Sequence, residues 1–416
     1  MTASHSLVRH AKAFAKLLRA GFFAFLPAAA VAGGLALAPL IGAAGAAGAR
    51  FSHLRNAFAK PRPALWLLLA FAGWAALSSF WSSYRDHGQA LRLLLTLIPG
   101  LIFIASASAD SEARRLTQAG GAAALSVLMA LLAVEAFAGM PLNRAVQPEA
   151  LDWVLMRNPG RGASVLVVLI WGVLGALLTR GGRVRFALAG AIAILGAVIA
   201  AQFGMDANIA AYAIGAFAFA AGYAAPRAGL VAVTCALALW LLTAPLAAPL
   251  LFANAPLAEA LPTSWAMRIE IWRFASERIL EQPWIGHGLD ASRSFDQTLC
   301  VRGEQSHALP LHPHSFSLQV WLETGAVGAS LAAAALIAGG VTLARAFAAN
   351  RAAAAAACAS LAAAGFIANI SYGAWQEWWI ATMLTAAAQV AAIGVTSAKA
   401  SRLEASERGR DSLLHP

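Results

Sequence analysis

Two histidines stand one residue apart where a polar stretch of the sequence gives way to a long apolar one. They are His312 and His314, in LHPHSFSLQVWLETGAVG, residues 311–328. A neutral imidazole can take a proton from a hydroxyl group, so His314, which meets the first apolar residues, is a candidate general base. We expect His312 to contact the same substrate. The spacing of these histidines matches no metal motif, and we expect a site without metal.

Arginine side chains form the second group that could do chemistry. Arg268 and Trp272 share one face of a helix predicted over residues 264–282. A guanidinium binds phosphate through two parallel N–H donors, which makes Arg268 a candidate anion clamp. The alternative is an arginine that snorkels to the membrane interface beside an interfacial tryptophan. Arg273 on the same helix is expected to pair with Glu277, four residues later.

Membrane helices must position these side chains, because 60% of the 416 residues are hydrophobic and only 12% are charged. Soluble domains carry about 25% charged residues. We therefore predict an all-α polytopic membrane protein with about twelve transmembrane helices. The apolar runs that predict them are 20–32, 33–48, 63–81, 88–107, 117–139, 162–179, 186–202, 207–224, 228–250, 315–343, 352–371 and 374–396.

The excess of 30 lysines and arginines over 19 acidic residues follows the loops. About two thirds of the basic residues fall in alternate segments, the pattern of cytoplasmic loops. This pattern explains most of the charge without a nucleic-acid partner and predicts cytoplasmic N- and C-termini. The predicted order is a basic amphipathic cytoplasmic segment (1–19), helices one to nine (20–250), a long outward loop (251–314), helices ten to twelve (315–396) and a cytoplasmic tail (397–416).

The outward loop 251–314 is the single long connection in this order, and structureless loops of such length are usually functional. It is expected to contain helical segments and carries both Arg268 and the two histidines. A shorter outward segment, 140–161, adds Arg157 and Arg161 as further candidates for holding an anion.

Several blocks of this sequence resemble the O-antigen ligase and O-antigen polymerase-like superfamily. The family signature is His, then Asn, Ser or Gln, nine residues, Gly, two residues and a small residue or Tyr. HSFSLQVWLETGAVG meets it, with His314 and Gly325 as its fixed points. RIEIWRFASERILEQPWIGHGLD is similar to an Arg-x-x-x-Trp segment leading to Pro-x-x-Gly-x-Gly, which includes Gly286. MRNPGRGASVLVVLIW and WQEWW resemble further family blocks, so the resemblance spans roughly residues 60–395.

This resemblance implies a glycosyltransferase on the periplasmic face of the bacterial inner membrane. Such an enzyme moves a glycan from undecaprenyl diphosphate to an acceptor hydroxyl, which for ligases belongs to lipid A–core, and it needs no metal or cofactor. His314 would act as the base and Arg268 would neutralise the leaving diphosphate. The residues expected to bind substrate are Arg161, Arg157, Trp272, Gly286 and His312.

One block departs from the family pattern. The resemblance implies an outward arginine near the end of the seventh span, where this chain has Asp206 and Asn208. Either Arg161 or Arg157 supplies the missing donor, or this chain handles its glycan donor differently. Two alternatives stay open: a polysaccharide polymerase with the same site, and a polysaccharide or lipid transporter. A transporter predicts charged or broken helices at the membrane midplane, and most spans here lack such charges.

Overall fold

The computed structural model describes residues 2–48, 62–86, 88–251 and 261–394, with the backbone alone at 2–9 and 251. This part of the chain contains fourteen α-helices, which confirms the all-α prediction. They are α1 Thr2–Val31, α2 Leu37–Gly48, α3 Pro63–Ser78, α4 Gly88–Ala107, α5 Ser111–Phe137, α6 Pro141–Val146, α7 Asp152–Leu178, α8 Arg183–Ala200, α9 Asp206–Ala224, α10 Pro226–Leu251, α11 Thr263–Glu281, α12 Phe316–Ala346, α13 Arg351–Ile370 and α14 Glu377–Ile393.

Each of the twelve predicted apolar runs coincides with one of these helices. Nine helices in the described ranges are long and apolar enough to cross a membrane: α1 from His10 onward, α4, α5, α7, α8, α9, α10, α12 and α13. The other three are shorter, at 12 residues for α2, 16 for α3 and 17 for α14. The predicted tail 397–416 lies outside the described residues, as do residues 252–260 of the predicted outward loop.

Helices α7 and α13 form the centre of the bundle, where 78% of the apolar stretch of each is buried. Helix α13 is rich in alanine, and small residues allow membrane helices to approach closely. At Gly222 of α9, for example, an added Cβ would lie 2.7 Å from the sulfur of Cys358. The C-terminal end of α13 leads directly into the short connection 371–376.

Contacts between loops sort the ends of the helices into two groups. The group that surrounds the two histidines contains residues near 33, 81–92, 140–161, 205–208, 283–315 and 371–377. The other group contains residues near 16–19, 106–118, 350–353 and 392–394. These are the same groups that the charge pattern assigned to the outward and inward faces. Which group faces the cytoplasm stays a prediction.

The described part of the long connection between α10 and α12, residues 261–315, is built around α11. The predicted helix over 264–282 is present as Thr263–Glu281. A 3-10 turn at Ala291–Ser294 follows, and then an antiparallel hairpin, β1 Thr298–Val301 with β2 Glu304–His307, that the sequence analysis did not predict. Helix α7 also begins earlier than its apolar run, so Arg157 and Arg161 lie in its first turns rather than in a loop.

Candidate active site

His314 lies in the turn before α12, with a left-handed backbone at φ 52°. Its Nδ1 lies 2.9 Å from the carbonyl oxygen of Ser371. A carbonyl can only accept, so Nδ1 carries the proton and Nε2 of the neutral ring presents a lone pair. Burial lowers the pKa of His314, the nearby charge of Arg268 lowers it further, and the Ser371 carbonyl opposes both. His314 therefore has the tautomer and the neutral state that a general base needs.

His312 supports the unusual backbone of His314. The backbone N–H of His314 donates to Nδ1 of His312 at 3.1 Å, and the two ring centroids lie 4.6 Å apart. The neutral His312 ring therefore carries its proton on Nε2, which lies 3.2 Å from the side-chain amide nitrogen of Gln376. The Gln376 amide accepts this proton in its flipped orientation, which also gives its oxygen, otherwise unpartnered among the described residues, a donor. Burial lowers the pKa of His312 to about 3, and the electrostatic effects of His314 and Arg293 act in the same direction. His312 is thus neutral and buried, and it supports the backbone of His314. Its contact with substrate stays a prediction.

Helix α11 holds the histidine turn from the other side. Trp272 is buried, and its Nε1–H donates to the carbonyl oxygen of Pro313, between the two histidines, at 3.0 Å. An interfacial tryptophan would face lipid, so this contact identifies Trp272 as part of the support for the site. Arg268, one turn earlier, donates from Nε to the carbonyl of Ile370 at 3.1 Å and from Nη1 to that of Ser264 at 2.9 Å.

These two carbonyls fix the plane of the Arg268 guanidinium and leave part of it available. Within the described residues Nη2 makes no hydrogen bond, and no carboxylate forms an ion pair with this side chain. Burial lowers the pKa of the Arg268 guanidinium. The charge of Asp206, which forms no ion pair with it, raises this pKa. A half-buried, oriented arginine without a paired acid is suited to an anionic ligand.

Arg161 stands 5.9 Å above the ring of Trp378 and interacts electrostatically with Tyr372 and with the exposed Arg157. Neither Arg157 nor Arg161 forms an ion pair with any described acidic residue. The first turns of α7 therefore add two cations that pair with no described acid, and Arg161 lies near Tyr372. Because Tyr372 adjoins the Ser371 carbonyl that His314 contacts, Arg161, Arg268 and His314 lie around one short connection.

The region that lacks the family arginine contributes a buried amide instead. Tyr372 O–H contacts Oγ of Ser164 at 2.8 Å, and Ser164 donates to Oδ1 of Asn208, also at 2.8 Å. Asn208 in turn donates to the carbonyl of Gly160 at 3.2 Å. Burial raises the pKa of the Tyr372 phenol to about 12, so this chain of hydrogen bonds is neutral. Asn208 thus ties α9 and α7 to the connection 371–376.

The two glycine motifs of the sequence meet at one place in the fold. Helix α12 breaks at Gly325, where φ is 62° and ψ is −166°. The segment 283–288 docks at the break: His287 N–H donates to the carbonyl of Leu322 at 2.8 Å, and Ala326 N–H donates to that of Pro283, also at 2.8 Å. The break frees backbone groups of α12, and this segment satisfies them.

Residues 153–333, from α7 to α12, match the sequence profile of the O-Antigen ligase family. The match includes every candidate residue named from the sequence and both glycine motifs. This region of the chain is O-antigen ligase-like.

Curated relatives of this O-antigen ligase-like chain carry the name "Putative polysaccharide ligase". The protein of Rickettsia typhi is 32% identical over 129 residues, which cover 28% of this chain and 29% of that protein. The protein of Rickettsia conorii is 32% identical over 123 residues, 29% of each chain. The protein of Rickettsia bellii is 29% identical over 133 residues. The similarity thus spans less than a third of each of these relatives.

The ligase-like site also uses residues to which the sequence analysis gave no role. They lie in the connection 371–376, between α13 and α14: Tyr372 interacts electrostatically with Arg161, and Ala374 and Trp375 are held by side chains of α12. The available signals were the polar SYG interruption between two apolar runs and the WQEWW block, to which Trp375 belongs. Gly286, predicted to bind substrate, lies against the backbone of α12, where its role in the fold is to allow close approach.

We expect Gly286→Ala to destabilise this ligase-like fold by about 2–5 kcal/mol, combining left-handed strain with overpacking. Gly286 has φ +69°, and an added Cβ would lie 2.5 Å from the carbonyl carbon of Glu323. The matched control is Gly339→Ala in α12, the helix against which Gly286 packs, where an added Cβ meets nothing within 4 Å. Thermal unfolding in detergent measures both. Equal unfolding temperatures for the two variants would show that the docked segment is not rigid.

Proposed function

We propose that this chain is a glycosyltransferase that moves a glycan from undecaprenyl diphosphate to a hydroxyl of lipid A–core. Similarity to a family of polysaccharide ligases supports the transfer of polysaccharide. The observation that carries the finer proposal is His314. Its Nδ1–H is bound to Ser371, its Nε2 makes no hydrogen bond within the described ranges, and the unpaired cation of Arg268 lies nearby.

The proposed reaction is a single displacement at the anomeric carbon of the glycan. The acceptor hydroxyl oxygen attacks this carbon while its proton passes to Nε2 of His314. The bond from the anomeric carbon to the diphosphate oxygen breaks, and its electron pair stays on the diphosphate. The proton then leaves His314 to water or to the released diphosphate. A positioned base of this kind contributes roughly 10²–10⁴ in rate.

Unpaired arginines supply the charge that the leaving group requires. Arg268 is oriented by two carbonyls, while Arg161 of α7 lies near Tyr372 of the same connection, with Arg157 in its electrostatic range. Donors fixed where charge develops stabilise a transition state without reorganising. The confinement of both lipid-linked substrates to one leaflet adds proximity, because it turns a three-dimensional encounter into a search in a plane.

The proposed location is the bacterial inner membrane, with the site facing the periplasm and both termini in the cytoplasm. The excess of basic residues at the opposite group of loops supports this orientation. The partners would then be the lipid-linked glycan, the acceptor glycan and the bilayer.

Two features also occur in transporters, namely the broken helix α12 and the buried carboxylate of Glu323 within it. In transporters such a break lines a path for substrate or ions. Here the segment 283–288 fills the break, and protein N–H and O–H groups surround the carboxylate. These contacts favour a transferase over a transporter.

We expect chelators such as EDTA to leave transfer unchanged. Within the described ranges, no three His, Cys, Asp or Glu side chains come together as a metal site, and the arginines supply positive charge. The measurement is transfer by the purified protein before and after EDTA. Activity that disappears and returns with one divalent ion would contradict a metal-free site and would make His287, His312 and His314 candidate ligands.

The experiment that tests the function is deletion of the gene, with lipopolysaccharide and lipid-linked glycan analysed in parallel. Loss of long chains from lipopolysaccharide while they accumulate on the lipid carrier is the result expected for a ligase. Single glycan units on lipid A–core would instead identify a polymerase. Unchanged profiles of both pools would contradict either assignment.

A further inference from the structure

Glu323 is a fully buried carboxylate in the middle of the α12 signature. Its oxygens accept hydrogen bonds from five groups. Oε2 accepts from the Asp290 backbone N–H at 2.6 Å and from Trp375 Nε1 at 2.5 Å. Oε1 accepts from Ser292, through both N–H and O–H, and from Gln319 Nε2 at 3.0 Å. No step of the proposed displacement uses the Glu323 carboxylate.

The donors come from three separate parts of the chain. Gln319 belongs to α12 itself, Asp290 and Ser292 follow the docked segment 283–288, and Trp375 belongs to the connection 371–376. Glu323 therefore joins the glycine-motif segment to the connection that carries the Ser371 carbonyl.

Gln319 makes the second link to this connection. While its amide N–H₂ donates to Glu323, its Oε1 accepts from the backbone N–H of Ala374 at 2.7 Å. Trp375 and Ala374 are thus both fixed through Glu323. The Ser371 carbonyl lies three residues before Ala374 and decides which nitrogen of His314 carries the proton.

Only a carboxylate suits these five partners, because all of them are donors. A glutamine at position 323 would turn an N–H₂ group towards the donors on one side, either Asp290 and Trp375 or Ser292 and Gln319. Of the two hydrogen bonds on the first side or the three on the second, those from N–H donors would then become contacts between facing donors, which costs more than the simple loss of a contact.

We infer that Glu323 is a positioning residue that holds the connection 371–376 so that Ser371 fixes the proton of His314 on Nδ1 and leaves Nε2 free to act. Its catalytic consequence rests on the proposed function, whereas its effect on the His314 tautomer does not. Hydrogen-bond partners that fix the tautomer of a metal-bound histidine act in the same way, and their loss lowers metal affinity or activity roughly 10- to 100-fold.

The test compares Glu323→Gln with Glu135→Gln in the purified full-length protein. Glu135 is equally buried and accepts hydrogen bonds from Leu142 and Asn143, but it supports α6, and among the described residues no hydrogen bond joins it to 371–376. Spectra of ¹⁵N-labelled histidine report which nitrogen of His314 is protonated, with the signal assigned by its loss in His314→Ala. Transfer rates are measured on the same samples.

We expect the wild type and Glu135→Gln to show His314 protonated on Nδ1 alone. Glu323→Gln is expected to show a mixture of tautomers and transfer lowered roughly 10- to 100-fold. Trp375→Phe removes one donor without adding a wrong one and should change the spectrum in the same direction. It serves as the test if Glu323→Gln does not fold.

An unchanged His314 spectrum in the folded Glu323 or Trp375 variant overturns the inference, whatever the transfer rate. A changed tautomer with wild-type transfer overturns the catalytic part of it. Absence of transfer by the wild-type protein from lipid-linked glycan to lipid A–core would instead contradict the proposed function, and the tautomer measurement would still decide the role of Glu323.

Discussion

Replacement of His314 by alanine is expected to lower transfer by roughly 10²–10⁴-fold, the contribution of a positioned general base. The substitution removes Nε2, the atom proposed to accept the acceptor proton. The measurement is transfer by purified protein at matched concentration, with thermal unfolding recorded alongside. Membrane insertion should not change, because His314 lies before the apolar stretch Phe316–Ala346 of α12.

Transfer by His314→Ala within about threefold of wild type would exclude His314 as the base. His287→Ala is a suitable control, since His287 contacts the carbonyl of Arg278 at 2.8 Å and the ring of Phe295, away from Ser371. That variant should transfer normally once differences in folded protein are taken into account.

The pH dependence of transfer gives an independent view of the same residue. Burial and the charge of Arg268 lower the pKa of His314, and His312 beside it is neutral because burial lowers its own pKa to about 3. A lowered pKa keeps the base unprotonated further into the acid range. The acid limb of transfer should therefore lie below pH 6.5, the ordinary value for histidine.

Arg268→Lys is expected to lower transfer roughly 30- to 1,000-fold, the effect of losing a preorganised donor to a developing anion. Lysine keeps the positive charge and can also snorkel, but one ammonium cannot bind two phosphate oxygens at a fixed spacing. It also cannot bond the Ile370 and Ser264 carbonyls as the planar guanidinium does. The measurement is transfer at matched membrane levels, with thermal stability in parallel.

Arg273→Lys is the internal control on the same helix. Arg273 forms an ion pair with Glu270 at 2.5 Å, three residues earlier, where the sequence analysis expected Glu277. Both side chains are more than a third exposed, and such surface pairs contribute under about 1 kcal/mol. Near-wild-type transfer by both variants would leave Arg268 as a structural anchor and would assign the diphosphate to Arg161 and Arg157.

The helices were predictable because their signals are local. Apolar runs of sufficient length, and Pro283 immediately after α11, are read from neighbouring residues alone. The first turns of α7 were missed because they are polar and contain Pro159, yet the helix continues through this proline. A helix can extend beyond the membrane wherever other protein surfaces cover it, and the sequence of one segment does not reveal such surfaces.

The site was predictable only in part, for a related reason. The resemblance located His314 and Arg268, and α11 and α12 do bring both to Ile370–Ser371. The carbonyls that orient them belong to no motif, since every residue has one. Likewise, the buried amide of Asn208 could not be distinguished in sequence from an exposed one. Such roles depend on contacts between segments more than 40 positions apart.

The break at Gly325 also divides α12 into two segments of defined length. Helix α12 has 31 residues, about 46 Å at 1.5 Å per residue, whereas the hydrocarbon core of a membrane is about 30 Å thick. The roughly 21 residues after the break, Ala326 to Ala346, match that thickness by themselves. Placing Ala326–Ala346 across the hydrocarbon leaves the nine residues from Phe316 to Thr324, a length of about 14 Å, outside it. Under the proposed function, the fixed spacing between His314 and Gly325 would place the imidazole near the diphosphate and the first sugar of the lipid-linked glycan, and a residue inserted between them would shift and rotate it.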